Sequence, residues 1–214
     1  MPEPYSPEPL RFQVGILLSG CGRFDGTDVQ EAVLCHLALD RHGARGVPLA
    51  SRRSQLHVVD HTSGDEVESE PRVMLAESAR IFHDKTRDLA EFPLDTLQAL
   101  IVPGGFGAAK NLVSGFARMD QRRAAQPDAA AAVRHFLEAR KPVGVVGLGD
   151  ILVRQITLQP LEDPRPGDDP ARIDRDRERR ILTTAGFKSF QRISEVAIGI
   201  DALVRELVQW VRNG

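Results

Sequence analysis

The residues with spacing suited to chemistry sit in three glycine-rich breaks, each directly after a short aliphatic run: Gly20-Cys21-Gly22, Gly104-Gly105-Phe106-Gly107 and Gly147-Leu148-Gly149. Bends of this kind expose backbone N–H groups and lift a single side chain toward a ligand. The first break, Gly20 to Gly26, resembles a dinucleotide loop, but its third glycine comes one position late for G-x-G-x-x-G. No acidic residue ends the next aliphatic run to hold a ribose. The second, Pro103 to Asn111, falls short of a phosphate loop because Ala109 and Asn111 stand where glycine and a hydroxyl residue are needed. Its glycines either aim N–H donors at a carbonyl or oxyanion, or simply permit a turn with positive φ. The third has the layout of a nucleophile elbow, a strand followed by a sharp turn and a helix. The nucleophile slot, however, is Gly147, which has nothing to attack with.

Few other side chains compete. Glu31 lies early in a predicted helix, where it either complements the helix dipole or, if buried near Gly147, has its proton affinity raised by desolvation. Cys21 follows the first predicted strand and is expected to border the pocket, as a reactive thiol or a packed neighbour. Cys35, in mid-helix, reads as a small buried residue. Asn111 and Leu148 are candidate binding residues by position, and Phe106 and Phe116 are pocket wall or core. His57 and His61 stand four apart, but Val58-Val59 favours a strand, where they need not share a face. No metal site is expected. The run Arg172 to Arg180 alternates basic with acidic residues and reads as a solvated turn.

The elements that must position these residues alternate. Val14–Leu18, Gly46–Leu49, Leu56–Val59, Ala99–Val102, Val143–Val146, Ile156–Leu158 and Arg180–Thr184 read as strands. Helices are predicted over Asp28–His42, with Asp28 or Thr27 as cap and Gly43 as stop, and over Arg72–Phe82, Gln126–Arg140, Ile151–Ile156 and Ser189–Arg212. Gln159–Pro170 reads as a loop. This alternation predicts a three-layer α/β domain with a mostly parallel sheet, its working loops at the carboxyl ends of the strands.

With 214 residues the chain suits one domain, 11–214, behind a flexible proline-rich extension, 1–10. A net charge of −2 and no apolar run near ~18 residues argue against nucleic-acid and membrane partners. Two cysteines make no disulfide framework. The first residues lack the cationic head and apolar run of a signal peptide, so a cytoplasmic protein is expected.

The stretch G-I-L-L-S-G-C-G-R-F-D-G-T-D-V-Q-E (Gly15 to Glu31) resembles the enhancing-lycopene-biosynthesis, or glyoxalase-like isoprenoid-biosynthesis (ElbB), family. So do Leu100-Ile-Val-Pro-Gly-Gly-Phe-Gly-Ala-Ala-Lys-Asn-Leu112, and Thr183-Thr184 with Gly199-Ile-Asp201. The resemblance runs over nearly the whole chain after the extension. It implies a flavodoxin-like sheet of the class I glutamine-amidotransferase-like type, in the superfamily of the Parkinsonism-associated deglycase and intracellular protease. It further implies an acid at Glu31, an oxygen-binding loop at Gly104 and Gly105, and a homodimer without cofactor. The family's Lys-Pro-x-Gly-x-x-Cys frame stands here as Lys141-Pro-Val-Gly-Val-Val-Gly147, without its cysteine. The expectation is a catalytically degenerate member that binds a small carbonyl or carboxylate compound through Glu31, Gly104–Phe106 and Gly147–Leu148. The alternatives are a weak glyoxalase-like or hydrolase enzyme using Glu31 and Cys21, and a regulatory or scaffold dimer with a vestigial pocket.

Overall fold

A computed structural model describes residues 12–68, 70–117, 122–159, 161 and 169–214. In chain order the elements are β1 (Phe12–Leu18), α1 (Val29–Arg41), β2 (Ala44–Ala50), α2 (Met74–Ser78), β3 (Arg87–Asp88), β4 (Ala99–Val102) and α3 (Phe106–Leu112). The two-residue strands β5 (Val113–Ser114) and β6 (Ala124–Ala125) follow. The chain continues with α4 (Pro127–Glu138), β7 (Val143–Val146), α5 (Asp150–Thr157), β8 (Asp174–Asp176), β9 (Ile181–Thr184) and α6 (Ile193–Arg212). The main sheet has the order β3-β2-β1-β4-β7-β9-β8, and all its pairings are parallel except the antiparallel β8–β9 edge. This is the α/β architecture with a mostly parallel sheet that the alternating pattern predicts.

The period-two geometry of a strand divides the core between the two faces of the sheet. Val14, Ile16 and Leu18 of β1 pack with α1 and α6, while Leu17 packs with Leu49, Leu100 and Phe136 on the α4 side. Each fully buried side chain of this kind contributes on the order of 2 kcal/mol. The order of connection reverses at β1–β4, which opens a crevice beyond the carboxyl ends of those strands. Helix α1 enters this crevice under tight control. Asp28 accepts hydrogen bonds from the Gln30 and Glu31 N–H groups, at 2.9 and 3.1 Å, as an N-cap should. Gly43, with φ of 74°, lets the chain turn out of the helix after its cap.

Several predicted elements differ. The helix predicted over 72–82 is only Met74–Ser78. Its entry is held as a bridge by Met74 N–H donating to the Arg53 carbonyl and Gln55 N–H to the Arg72 carbonyl. Leu56–Val59 is not a strand, because its donors go to side chains: Leu56 N–H to Asn111 Oδ1 and Val59 N–H to Asp25 Oδ2. Helix α5 runs through Thr157 and ends on left-handed Leu158, so no strand begins there. The final helix starts at Ile193, not Ser189. Helix α3 has no counterpart among the predicted elements, and part of the solvated turn expected over Arg172 to Arg180 is strand β8, paired with β9. The extension 1–10 and most of the 159–170 loop lie outside the described residues. No helix among the described residues is long and apolar enough to cross a membrane.

Candidate functional site

The cleft at the switch point encloses about 830 Å³, with Glu31 at its floor. Its walls are largely aromatic and aliphatic: Phe24, Phe106, Leu148, Phe187 and Phe190. Arg23, His61, Lys188, Gln30 and Gln191 supply polar edges. Glu31 is reached from three directions. The Asp28 cap sets it in the first turn of α1. Gly104 N–H, after β4, donates to Oε2 at 2.7 Å, and Phe187 N–H, after β9, donates to Oε1 at 2.9 Å. No cationic side chain pairs with it among the described residues.

That arrangement sets its acidity. Burial pushes the Glu31 carboxyl up from 4.5 to about 7, and the neighbouring Asp28 charge adds to the rise; the Phe187 and Gly104 N–H bonds pull the other way without prevailing. At Glu31 the cost of taking the anion out of water outweighs what the two amide hydrogen bonds return.

Gly147 lies directly against this carboxyl. Its φ is 52°, and a β-carbon built there would come within 2.7 Å of Glu31 Oε1. The strand–turn–helix course of β7, Gly147–Gly149 and α5 has the backbone of an elbow, with the left-handed residue at 147. Gly186, with φ of 54°, closes on the same carboxyl from the β9 side, where a β-carbon would meet Oε1 at 2.2 Å. The Glu31 head thus fills the space that side chains at either position would need.

Three residues later on the elbow stands a second carboxylate with a different setting. Asp150 is fully buried, and its Oδ2 pairs with Arg154 Nε at 2.8 Å and Lys188 Nζ at 2.9 Å. On the opposite rim, His61 Nδ1 lies 3.0 Å from the Val59 carbonyl, and its Nε2 is 3.6 Å from the buried Asp25 carboxylate.

The structure brings Glu31, Gly105, Phe106 and Leu148 to the cleft lining, with Gly104 and Gly147 against the Glu31 carboxyl behind it. Gly104 N–H is engaged by Glu31, so it is not aimed at open space as the sequence suggests. Asn111 is not part of the lining. Its Nδ2 donates to the Ser19 and Asp25 carbonyls, both at 2.8 Å, and its Oδ1 accepts from Leu56, so it ties three loops together. Cys21 is half-buried and also outside the lining. Its backbone bridges Thr27, and Arg80, Glu77, Asp25 and Arg72 form its electrostatic surroundings. Burial raises its thiol pKa, the direction opposite to activation. Sequence reasoning missed Phe187, Lys188 and Asp150. The signal available was positional: Gly186-Phe187 follows the carboxyl end of β9 as the three named breaks follow theirs.

No family model matches the chain. It is 40% identical over 151 residues to the rat ES1 protein homolog, mitochondrial, covering 71% of this chain and 56% of that protein. It is 40% identical over 144 residues to the human glutamine amidotransferase-like class 1 domain-containing protein 3, mitochondrial, covering 67% and 53%. The chain therefore spans about half the length of the curated relatives it matches. Among solved structures it is similar to an isoprenoid biosynthesis protein with amidotransferase-like domain from Ehrlichia chaffeensis. The TM-score is 0.84 with 27% identity, over 92% of this chain and 99% of that one. Both curated relatives are named as mitochondrial, which overturns the expectation of a cytoplasmic protein drawn from the N-terminal residues.

Proposed function

We propose, for a chain homologous to the ES1 proteins and of glutamine amidotransferase-like, ElbB-like family, that the cleft binds a small carbonyl or carboxylate compound and performs no thiol chemistry. The observation that carries this is residue 147: at the left-handed corner of the elbow stands a glycine, and the Glu31 carboxyl occupies the space beside it. A covalent route through a thiolate would need sulfur at that corner. What the cleft offers is one carboxyl group that titrates near neutrality between apolar walls.

Glu31 accepts one N–H on each oxygen, which leaves further lone pairs or, when protonated, an O–H to meet a ligand. The protonated form donates to a ligand carboxylate or carbonyl, so binding should weaken as pH rises through about 7. The names of the relatives bring a mitochondrial setting into the same proposal.

Calorimetry with pyruvate and a turnover assay with methylglyoxal test it together. The expected result is pyruvate binding that is tighter at pH 6 than at pH 8 and loses that dependence in Glu31→Gln, with methylglyoxal turnover near background in both proteins. Robust turnover abolished by Glu31→Gln would instead establish the glyoxalase-like alternative. No binding of either compound at millimolar concentration would leave the scaffold reading.

A further inference from the structure

We propose that Lys110 is a carbonyl-capture site, its ε-amine held against the His57 imidazole so that it condenses with small aldehydes to form an imine. Lys110 stands on α3 one turn beyond Phe106 and is half-buried. Its Nζ lies 3.3 Å from His57 Nδ1, and the same Nδ1 lies 3.0 Å from Glu66 Oε1. One ring nitrogen cannot serve both neighbours at once. Carrying hydrogen, Nδ1 donates to the Glu66 carboxylate; bare, it accepts from the lysine ammonium. Nδ1 therefore stands between a donor and an acceptor, placed to take a hydrogen from the amine or to give one to the carboxylate. Loss of a proton from the amine to the ring leaves a nucleophile beside a protonated base that is braced by Glu66.

The setting differs from that of the other lysines. The chain has four, at 85, 110, 141 and 188. Lys188 pairs with the buried Asp150, Lys141 donates to the Asp95 carbonyl, and Lys85 is exposed. Burial pushes the Lys110 amine below the usual lysine range, against the opposing Glu66 and Asp25 charges.

The chemistry balances without any added oxidant or reductant. The neutral amine lone pair attacks the aldehyde carbon and forms the N–C bond. The proton that His57 Nδ1 took from the ammonium passes to the developing alkoxide, and the bared Nδ1 then takes the second proton from nitrogen, giving a neutral carbinolamine. Departure of that hydroxyl with one proton, as water, leaves the C=N bond. His57 acts here as the proton carrier.

Labelling with propanal and cyanoborohydride at pH 7.5, read by peptide mass spectrometry, tests this. Cyanoborohydride reduces each imine to a stable secondary amine. Lys110 should be labelled several-fold faster than Lys85 and Lys141, because neither of those has, among the described residues, an imidazole at hydrogen-bond distance to carry its proton. His57→Gln, which keeps a hydrogen-bonding amide but not a titrating ring, should slow Lys110 several-fold while Lys85 is unchanged. Lys110→Arg supplies the zero-label control. Glu31→Gln should leave Lys110 labelling unchanged, so this test stands apart from the fate of the cleft proposal. Lys110 labelled no faster than Lys85 overturns the capture site. Fast labelling that His57→Gln does not slow overturns the role given to His57.

Discussion

Glu31 and Asp150 are two buried carboxyl groups on either side of one elbow, and the molecule holds them by opposite means. Asp150 is matched by two cations, Arg154 and Lys188, at ion-pair distance. Glu31 is held by two backbone N–H groups and no cation among the described residues. Burying a paired charge yields a strut whose loss takes a counter-charge from each cation. At Glu31, where burial outweighs the two amide bonds, the carboxyl is pushed up to about 7, the range a ligand-binding or proton-carrying residue requires. Position relative to the elbow follows the same division: Asp150 lies behind it in α5, and Glu31 lies over it in the cleft.

The largest expected effect is on the strut. Asp150→Ala should cost about 3–5 kcal/mol in urea-induced unfolding, because Arg154 and Lys188 lose the carboxylate between them. A cost below about 1 kcal/mol would put Asp150 on the same footing as a surface charge and dissolve the contrast.

Glu31 should instead reveal itself through pH. Its proton is held more tightly in the folded state than in the unfolded one, with pKa values of about 7 and 4.5. Stability from this group is therefore full below about pH 4.5 and lost as pH rises through about 7, a fall on the order of 3 kcal/mol. Glu31→Gln should flatten that window. It also brings an amide N–H₂ against either Gly104 or Phe187 N–H, so a uniform loss of about 1–2 kcal/mol is expected at every pH.

Gly147→Ala should cost about 1–2 kcal/mol for a β-carbon at φ of 52°, and it should shift the pH window of Glu31, since the new methyl displaces the carboxyl. An alanine that leaves the window untouched would separate residue 147 from Glu31. The smallest effect concerns Cys21: iodoacetamide should alkylate it more slowly near neutral pH than a model thiol, because burial raises its pKa.

Much of this layout was legible in the residues. The aliphatic runs before Gly20, Pro103 and Gly147 are β1, β4 and β7, and Asp28 caps α1 where its position implies, which alone puts Glu31 in the first turn. Long, strongly patterned segments declare themselves because period and caps are local. What stayed hidden depends on distance along the chain. Phe187 donates to Glu31 across 156 positions, and nothing in either segment alone announces the other. Asn111 reads as a loop residue beside glycines, yet its amide is consumed by Ser19, Asp25 and Leu56, partners known only once the loops meet. The 56–59 segment is apolar enough for a strand, but Asp25 and Asn111 take the backbone donors a ladder would use.

The cleft stands or falls with the proton on Glu31. A carbon-13 titration of the glutamate side-chain carboxyls, with Glu31→Gln to assign the resonance, measures it directly. The expected result is a midpoint near 7 for Glu31, well above the other glutamates; a midpoint near 4.5 would contradict the amide-held, cation-free carboxyl described here.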